Sequence, residues 1–260
     1  MSNSSRLLRR ARTVATTVAL TAAMTAAAAV APTVAQAADA APHHYYIELG
    51  GTGSAQPAPT CTGTFYYANQ HLEEGAQAVP VCYPASAGPW LNGQNVPDLM
   101  APSYDSSVAQ GYTNLLAAAE ETHRKDPTAR LTIVGYSQGA QAADAVLETI
   151  ANGGTAIPRQ LVDGKLYADP KQPDTGMWAR VPKGLGALGL TSTGPGPREF
   201  PGVPVARFCI RGDLACDAST PVAAFDFFLT DKHRRYAQDG NIMTRTIAQD
   251  GLNGTFWYES

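Results

Sequence analysis

The stretch Gly135-Tyr136-Ser137-Gln138-Gly139 lies between a short apolar run and an alanine-rich segment with helical periodicity. The run before it, residues 131–134, predicts a buried strand, and residues 138–150 predict an amphipathic helix. A serine between two glycines on a strand-to-helix turn holds its hydroxyl above the sheet edge, where the helix N-terminus favours developing negative charge. Ser137 is therefore the candidate nucleophile. The alternative is an ordinary strand-to-helix turn whose glycines serve packing.

The segments around this turn alternate between strand-like and helix-like patterns. Strands are predicted at 44–49, 78–83, 164–168 and, as the last one, 203–210, with a further helix at 104–125. Strands separated by helices indicate an α/β fold with a central parallel sheet and helices on both faces. A length of 260 residues fits a single domain. Residues 170–201 are rich in glycine and proline, so this segment is predicted to be either functional or poorly ordered.

A serine hydroxyl needs a base, and the base is predicted to be His233. In α/β-hydrolases the chain order is serine, acid, histidine. Of the five histidines, only His233 follows Ser137. The alternative for His233 is a surface position in the basic run at 232–235.

The acid is predicted to be Asp213, which follows the 203–210 strand and lies between Cys209 and Cys216. A disulfide closing so short a loop would hold the carboxylate in place to orient an imidazole. Asp217 is the second choice, just outside that loop. The alternative for Asp213 is a plain turn residue.

Two backbone donors are expected to form an oxyanion hole. One is the N–H of Gln138, directly after the nucleophile, and the other comes from Gly51-Thr52-Gly53 after the first strand. The alternatives for these glycines are a tight turn or a phosphate cradle. A dinucleotide-binding pattern fails because position 56 is glutamine.

The four cysteines favour two disulfides, since an even count in an exported chain indicates pairing. Of the three pairings, proximity favours Cys61 with Cys82 and Cys209 with Cys216. The alternative is a four-cysteine zinc site, but neither pair has the C-x-x-C spacing of zinc ribbons.

Residues 1–37 predict a secretory signal peptide, and residues 38–260 the mature domain. Four arginines precede an uncharged run that ends in Ala35-Gln36-Ala37, a small-x-small cleavage pattern. The alternative is an uncleaved N-terminal anchor. Cleavage removes four positive charges and no negative ones, so the net charge falls from −3 to −7. An acidic protein does not suit nucleic acid, because phosphate contacts need clustered Lys and Arg.

The motifs together resemble a known family. Gly-Tyr-Ser-Gln-Gly, the Cys209-x-x-Gly212-Asp213-x-x-Cys216 loop and a later His233 are similar to the cutinase family of serine esterases. The start at Gly50, the Asp169-Pro170-Lys171-Gln172-Pro173 segment and a His-x-x-Tyr pattern resemble more closely a relative of the cutinases, the PE-PPE esterase domain. The resemblance implies a cutinase-like α/β-hydrolase fold, a Ser137-Asp213-His233 triad, Gln138 with Thr52 at the oxyanion hole, acyl ester substrates and no cofactor.

The resulting hypothesis is a secreted serine esterase that acts on a small-molecule or lipid ester, with association at a cell-envelope or lipid surface left open. An acyltransferase with the same triad, a non-catalytic surface-binding module on the same fold and a hydrolase directed at phosphate or lipid headgroups are the alternatives. The 170–201 segment is longer than a minimal cutinase needs, and a lid over the site is one interpretation of it. Oligomeric state is not predicted.

Overall fold

A six-stranded parallel sheet forms the centre of the molecule in a computed structural model, which describes residues 43–54, 59–220 and 231–259. Its strands are β1 (His44–Leu49), β2 (Gln77–Val81), β3 (Arg130–Tyr136), β4 (Val162–Tyr167), β7 (Val205–Ile210) and β8 (Gly254–Tyr258); the short strands β5 (Gly186–Ala187) and β6 (Leu190–Thr191) form a separate hairpin. The order across the sheet is β2-β1-β3-β4-β7-β8, and every pairing is parallel. The predicted α/β class is confirmed, while the expected signal peptide at 1–37 lies outside the described residues.

The prediction that the 203–210 segment is the last strand is wrong. Strand β8 follows it and pairs in parallel with β7, with Phe208 opposite Phe256 in register. The two rings stack with centroids 5.4 Å apart. An aromatic strand at the sheet edge is favoured by this cross-strand contact, even though β8 itself is only half-buried.

Two long helices cover one face of the sheet. Helix α1 (Tyr104–Lys125) begins after Ser103, whose side chain accepts a hydrogen bond from the Ser106 N–H at 3.2 Å. Helix α2 (Gln138–Ala151) begins directly after Ser137. Buried side chains from both helices and from alternate positions of the strands form one core, including Leu115, Leu147 and Ile133.

Short helical segments cover the other face, which confirms that helices lie on both sides of the sheet. They are the 3₁₀ turns Thr60–Phe65 and Ala68–His71 and the helices Lys232–Arg235 and Ile242–Thr246. A second core lies beneath them, built from large aromatic side chains such as Tyr46, Tyr167 and Phe208.

The 170–201 segment packs closely against its neighbours. It contains a 3₁₀ turn, Met177–Ala179, and the β5–β6 hairpin. The buried Trp178 donates its indole N–H to Gln141 of α2 at 2.6 Å. The Asp105 side chain at the start of α1 accepts from the Thr191 N–H at 2.9 Å. The segment is thus fixed along the N-terminal ends of α1 and α2.

Among the described residues, no helix has both the length and the apolar character needed to cross a membrane.

Candidate active site

Ser137 lies at the point where the strand order of the sheet reverses. The chain passes from β1 to β2 on one side and then returns to place β3 on the other side of β1. In register, Leu49 at the end of β1 lies beside Gly135 near the end of β3. The loops after these strands therefore leave in opposite directions and open a crevice at the carboxyl edge, where ligands bind in open α/β sheets.

The backbone turn at Ser137 is strained, and it can form because the residues two positions before and after the serine are glycines. Ser137 has φ 55° and ψ −121°, a region that non-glycine residues rarely occupy and that costs about 1–3 kcal/mol. A Cβ at Gly135 would lie 2.6 Å from Cα of Ala140, and one at Gly139 would collide with backbone carbonyls at the end of β1. Both positions therefore need glycine for close packing of α2 against β1 and β3, and this need is compatible with a nucleophile at Ser137.

The three predicted polar residues come together at this turn. His233 Nε2 lies 2.8 Å from Ser137 Oγ. The other ring nitrogen, Nδ1, lies 2.9 Å from each carboxylate oxygen of Asp213. The Asp213 side chain is fully buried, whereas that of His233 is 15% exposed. This is a hydrogen-bonded serine–imidazole–carboxylate chain that ends at the turn after β3.

Asp213 is held by the short loop in which the sequence places it. The structure joins Cys209 to Cys216 by a disulfide, and the Asp213 N–H donates to the Ile210 carbonyl at 3.0 Å. The carboxylate also accepts from the Ala215 N–H at 3.2 Å. These contacts close the loop around the end of β7 and leave the carboxylate facing His233.

Asp217, the second choice for the acid, has a different task in the structure. Its carboxylate accepts from the Gly212 N–H at 2.9 Å and from the Ser219 hydroxyl at 2.5 Å. Asp217 therefore stabilises the backbone of the acid loop, and the imidazole is paired with Asp213.

His233 lies on the four-residue helix Lys232–Arg235. The next residue, Tyr236, joins this helix to β7. The fully buried Tyr236 hydroxyl accepts a hydrogen bond from the Ile210 N–H at 2.7 Å. Since Ile210 is the last residue of β7, this bond brings the helix that carries His233 to the strand that leads into the Asp213 loop. The His-x-x-Tyr pattern at 233–236 includes this tyrosine, but the sequence alone predicts no role for Tyr236.

Gln138 is fixed on both sides of its side chain. Its amide donates to the Ser86 carbonyl at 2.8 Å and accepts from the Ser107 hydroxyl at 3.2 Å. As the first residue of α2, it has a backbone N–H with no acceptor inside the helix. That N–H therefore lies at the N-terminus of α2, directly after Ser137.

The loop that contains Thr52 lies directly beside the serine. A Cβ on the preceding residue, Gly51, would be 3.2 Å from Cβ of Ser137. The next residue, Gly53, has φ 88° and donates its N–H to the Ala85 carbonyl at 2.8 Å. Thr52 thus sits in a tight turn at the rim of the crevice and is partly exposed.

The remaining pair of cysteines is also joined, Cys61 to Cys82, as proximity in the sequence favours. This disulfide links the 3₁₀ turn Thr60–Phe65 to the end of β2. All four cysteine sulfurs are used in disulfides, so the zinc alternative fails.

The fold defines the class of protein. The structure is similar to a cutinase-like protein from Cryptococcus sp., at a TM-score of 0.54 and 19% identity, covering 81% of this chain and 93% of that one. It is also similar to the catalytic core domain of acetyl xylan esterase from Trichoderma reesei, at a TM-score of 0.50 and 20% identity, covering 75% of this chain and 92% of that one. The architecture is a cutinase-like α/β-hydrolase fold.

The family follows from the sequence match. The PE-PPE domain model matches residues 74–215, which is more than half of the chain. The chain therefore belongs to the PE-PPE domain family. The matched range contains Ser137 and Asp213, while Thr52 and His233 lie outside it. A search of curated proteins gave no match.

Proposed function

We propose that this protein is an exported serine esterase that hydrolyses carboxylic esters through an acyl-enzyme intermediate. The observation that carries the proposal is the hydrogen-bonded chain from Ser137 Oγ to His233 Nε2, at 2.8 Å, and from His233 Nδ1 to Asp213, at 2.9 Å. A hydroxyl paired with a base that is itself oriented by a carboxylate is an activated nucleophile.

In the first half of the reaction, Ser137 Oγ attacks the ester carbonyl carbon while His233 Nε2 takes the hydroxyl proton. The tetrahedral intermediate collapses when the imidazolium returns that proton to the leaving alcohol. In the second half, water attacks the acyl-enzyme with the same proton route, and the carboxylic acid leaves. Asp213 orients the imidazole and stabilises its charged form throughout.

The oxyanion formed in each half accepts hydrogen bonds from the Gln138 N–H and from Thr52. The N-terminus of α2 points at the same place, so its dipole favours the negative charge. The fixed side chain of Gln138 supports this role, because a donor that is already in place needs no reorganisation during the reaction.

Export is proposed to use residues 1–37 as a cleaved signal peptide. Two disulfides support an oxidising destination, where such bonds persist. N-terminal sequencing of the exported protein tests this: a first residue of Ala38 supports cleavage, and an intact N-terminus supports the anchor.

The experiment for the activity is hydrolysis of p-nitrophenyl esters from acetyl to palmitoyl by the mature protein, with labelling by a fluorophosphonate. Ser137→Ala is expected to lower kcat by at least about 10³-fold and to abolish labelling. Ser106→Ala, on the exposed side of α1, is the matched control and is expected to keep both.

Three outcomes separate the alternatives. Turnover that survives in Ser137→Ala would refute the proposed nucleophile. Labelling of Ser137 without hydrolysis, but with ester formation when an alcohol acceptor is added, would make the protein an acyltransferase. A folded wild type with neither labelling nor turnover would favour a binding module on the same fold.

A further inference from the structure

The placement of His233 depends on contacts from outside its own helix. Four helical residues make too few internal hydrogen bonds to fix a side chain by themselves. A base that moves by about 1 Å loses much of its effect, so the site needs an external support for the imidazole. The side chain that supplies one is Tyr136, the residue directly before the serine.

Tyr136 contacts His233 in two ways. The phenol hydroxyl donates a hydrogen bond to the His233 backbone carbonyl. The two rings stack, with centroids 5.1 Å apart and planes 25° from parallel. One contact fixes the backbone of the base, and the other fixes the orientation of its imidazole.

Tyr136 is itself rigidly held. It is the last residue of β3, pairs in register with Tyr167 of β4 and is only 8% exposed. Its ring also faces Gly51, where a Cβ would lie 3.0 Å away, and packs 6.0 Å from the ring of Tyr236. Burial, with an added effect of the Asp213 charge, raises the pKa of the Tyr136 phenol, so the hydroxyl stays a donor at neutral pH.

We propose that Tyr136 is the positioning residue of His233, holding the imidazole through ring stacking and through its hydroxyl bond to the His233 carbonyl. Because Tyr136 and Ser137 are consecutive, the same strand end fixes both the serine and the base that takes its proton. The face of the phenol ring also favours the imidazolium that forms during acyl transfer. This inference rests on the proposed function for its kinetic test but has a second test that needs no turnover.

The experiment compares Tyr136→Phe, which keeps the ring, with Tyr136→Leu, which loses the ring and the hydroxyl. Tyr46→Phe is the matched control, a fully buried tyrosine on the same sheet face whose hydroxyl donates to Glu73 at 2.7 Å. With p-nitrophenyl butyrate as substrate, we expect Tyr136→Leu to lower kcat about tenfold or more with KM nearly unchanged. Tyr136→Phe is expected to lose about threefold, and the control less than that.

The second readout is the low-field region of the proton NMR spectrum, recorded for the wild type and the variants. The proton between His233 Nδ1 and Asp213 is expected to give a low-field resonance, identified by its loss in Asp213→Asn. It should shift and broaden in Tyr136→Leu and stay in place in Tyr46→Phe. This signal does not depend on turnover, so it tests the position of the imidazole even if no ester is hydrolysed.

Three results would overturn the inference: a folded Tyr136→Leu with unchanged kcat, an equal loss in the control, or an unchanged low-field resonance. If Tyr136→Leu does not fold, Tyr136→Phe decides through its kcat and resonance, where wild-type behaviour in both refutes the inference. A wild type inactive on all esters would overturn the proposed function while leaving the resonance test valid.

Discussion

Replacing Glu48 with glutamine is expected to stabilise the protein, and increasingly so as the pH rises. Glu48 lies on β1 with its side chain fully buried. Its Oε2 accepts from Asn69 at 3.1 Å, but within the described part of the chain Oε1 has no hydrogen-bond partner. Burial raises the pKa of Glu48 from an ordinary 4.5 to about 8, although the hydrogen bond from Asn69 acts in the opposite direction.

The sign follows from proton binding. Between pH 4.5 and pH 8 the unfolded chain has lost the Glu48 proton while the folded protein keeps it. The folded state therefore binds more protons, and the free energy of unfolding falls as the pH rises through this window and levels off above it. A pKa difference of one unit between the folded and unfolded states corresponds to about 1.4 kcal/mol. Ionisation of Glu48 therefore lowers the free energy of unfolding by about 5 kcal/mol in total, of which about 3 kcal/mol is lost between pH 5 and pH 8.

Glutamine keeps an oxygen that can accept from Asn69 and carries no charge at any of these pH values. Urea unfolding at pH 5, 6, 7 and 8 measures the difference in free energy of unfolding between Glu48→Gln and the wild type. That difference is expected to grow by about 3 kcal/mol across the series. Glu120→Gln, at an exposed position of α1, is the control and should show a constant difference.

Parallel curves for Glu48→Gln and the wild type from pH 5 to pH 8 would refute the reasoning, because they would mean that Glu48 ionises alike in the folded and unfolded states. The size of the difference at any one pH is a weaker test, since the glutamine NH₂ group must also find a partner in the core. The change with pH isolates the ionisation.

Three further predictions concern the site and its supports. Asp213→Asn is expected to lower kcat by about 10³-fold or more, while Asp217→Asn should lose less than about tenfold because only the loop backbone depends on it; equal losses in kinetic assays would remove the distinction. Gly139→Ala should lower the melting temperature and the yield of folded protein, since its Cβ collides with carbonyls at the end of β1; a wild-type melting curve would contradict this. Replacing Cys209 and Cys216 together by serine should cost about 2 kcal/mol in urea unfolding and also reduce kcat, because the acid loop opens; unchanged kcat would show that the hydrogen bonds alone hold the loop.

Local signals explain which elements the sequence predicts well. Helix α1 spans 104–125 as predicted, because Ser103 caps its start and Asp126-Pro127 stops it. The strand before Ser137 and the helix after it also agree within about two residues, as boundaries defined by turn chemistry usually do. The missed strand β8 carried its own signal, the aromatic run at 256–258, but no preceding helix marked it as part of the alternating pattern.

The residues of the serine–imidazole–carboxylate chain were predictable for a different reason. Chain order leaves one histidine after Ser137, and the cysteine spacing marks one aspartate. The supports around them were not predictable, because they depend on contacts between distant segments. Nothing local to Tyr136 indicates that it stacks on an imidazole, and the His-x-x-Tyr pattern marks Tyr236 without indicating that it joins a helix to β7. A glutamate on a strand such as Glu48 likewise looks exposed until the turn that covers it is known.

The position of the 170–201 segment was also not predictable from local sequence, because the segment has little regular structure and is held by contacts with distant residues. At its start, Lys171 forms an ion pair with Asp144 of α2 at 2.5 Å, and the same aspartate pairs with Arg207 of β7 at 2.6 Å. Arg207 also reaches Asp169 at 3.2 Å, and all four side chains are buried. Burial, followed by the charge of Asp144, raises the pKa of Asp169 to about 7, so this cluster is costly unless every partner is present. Apolar packing would tolerate a shift of the segment by one residue, whereas a buried charge separated from its partner would not. The charges therefore select the path of the segment past the N-terminal ends of α1 and α2.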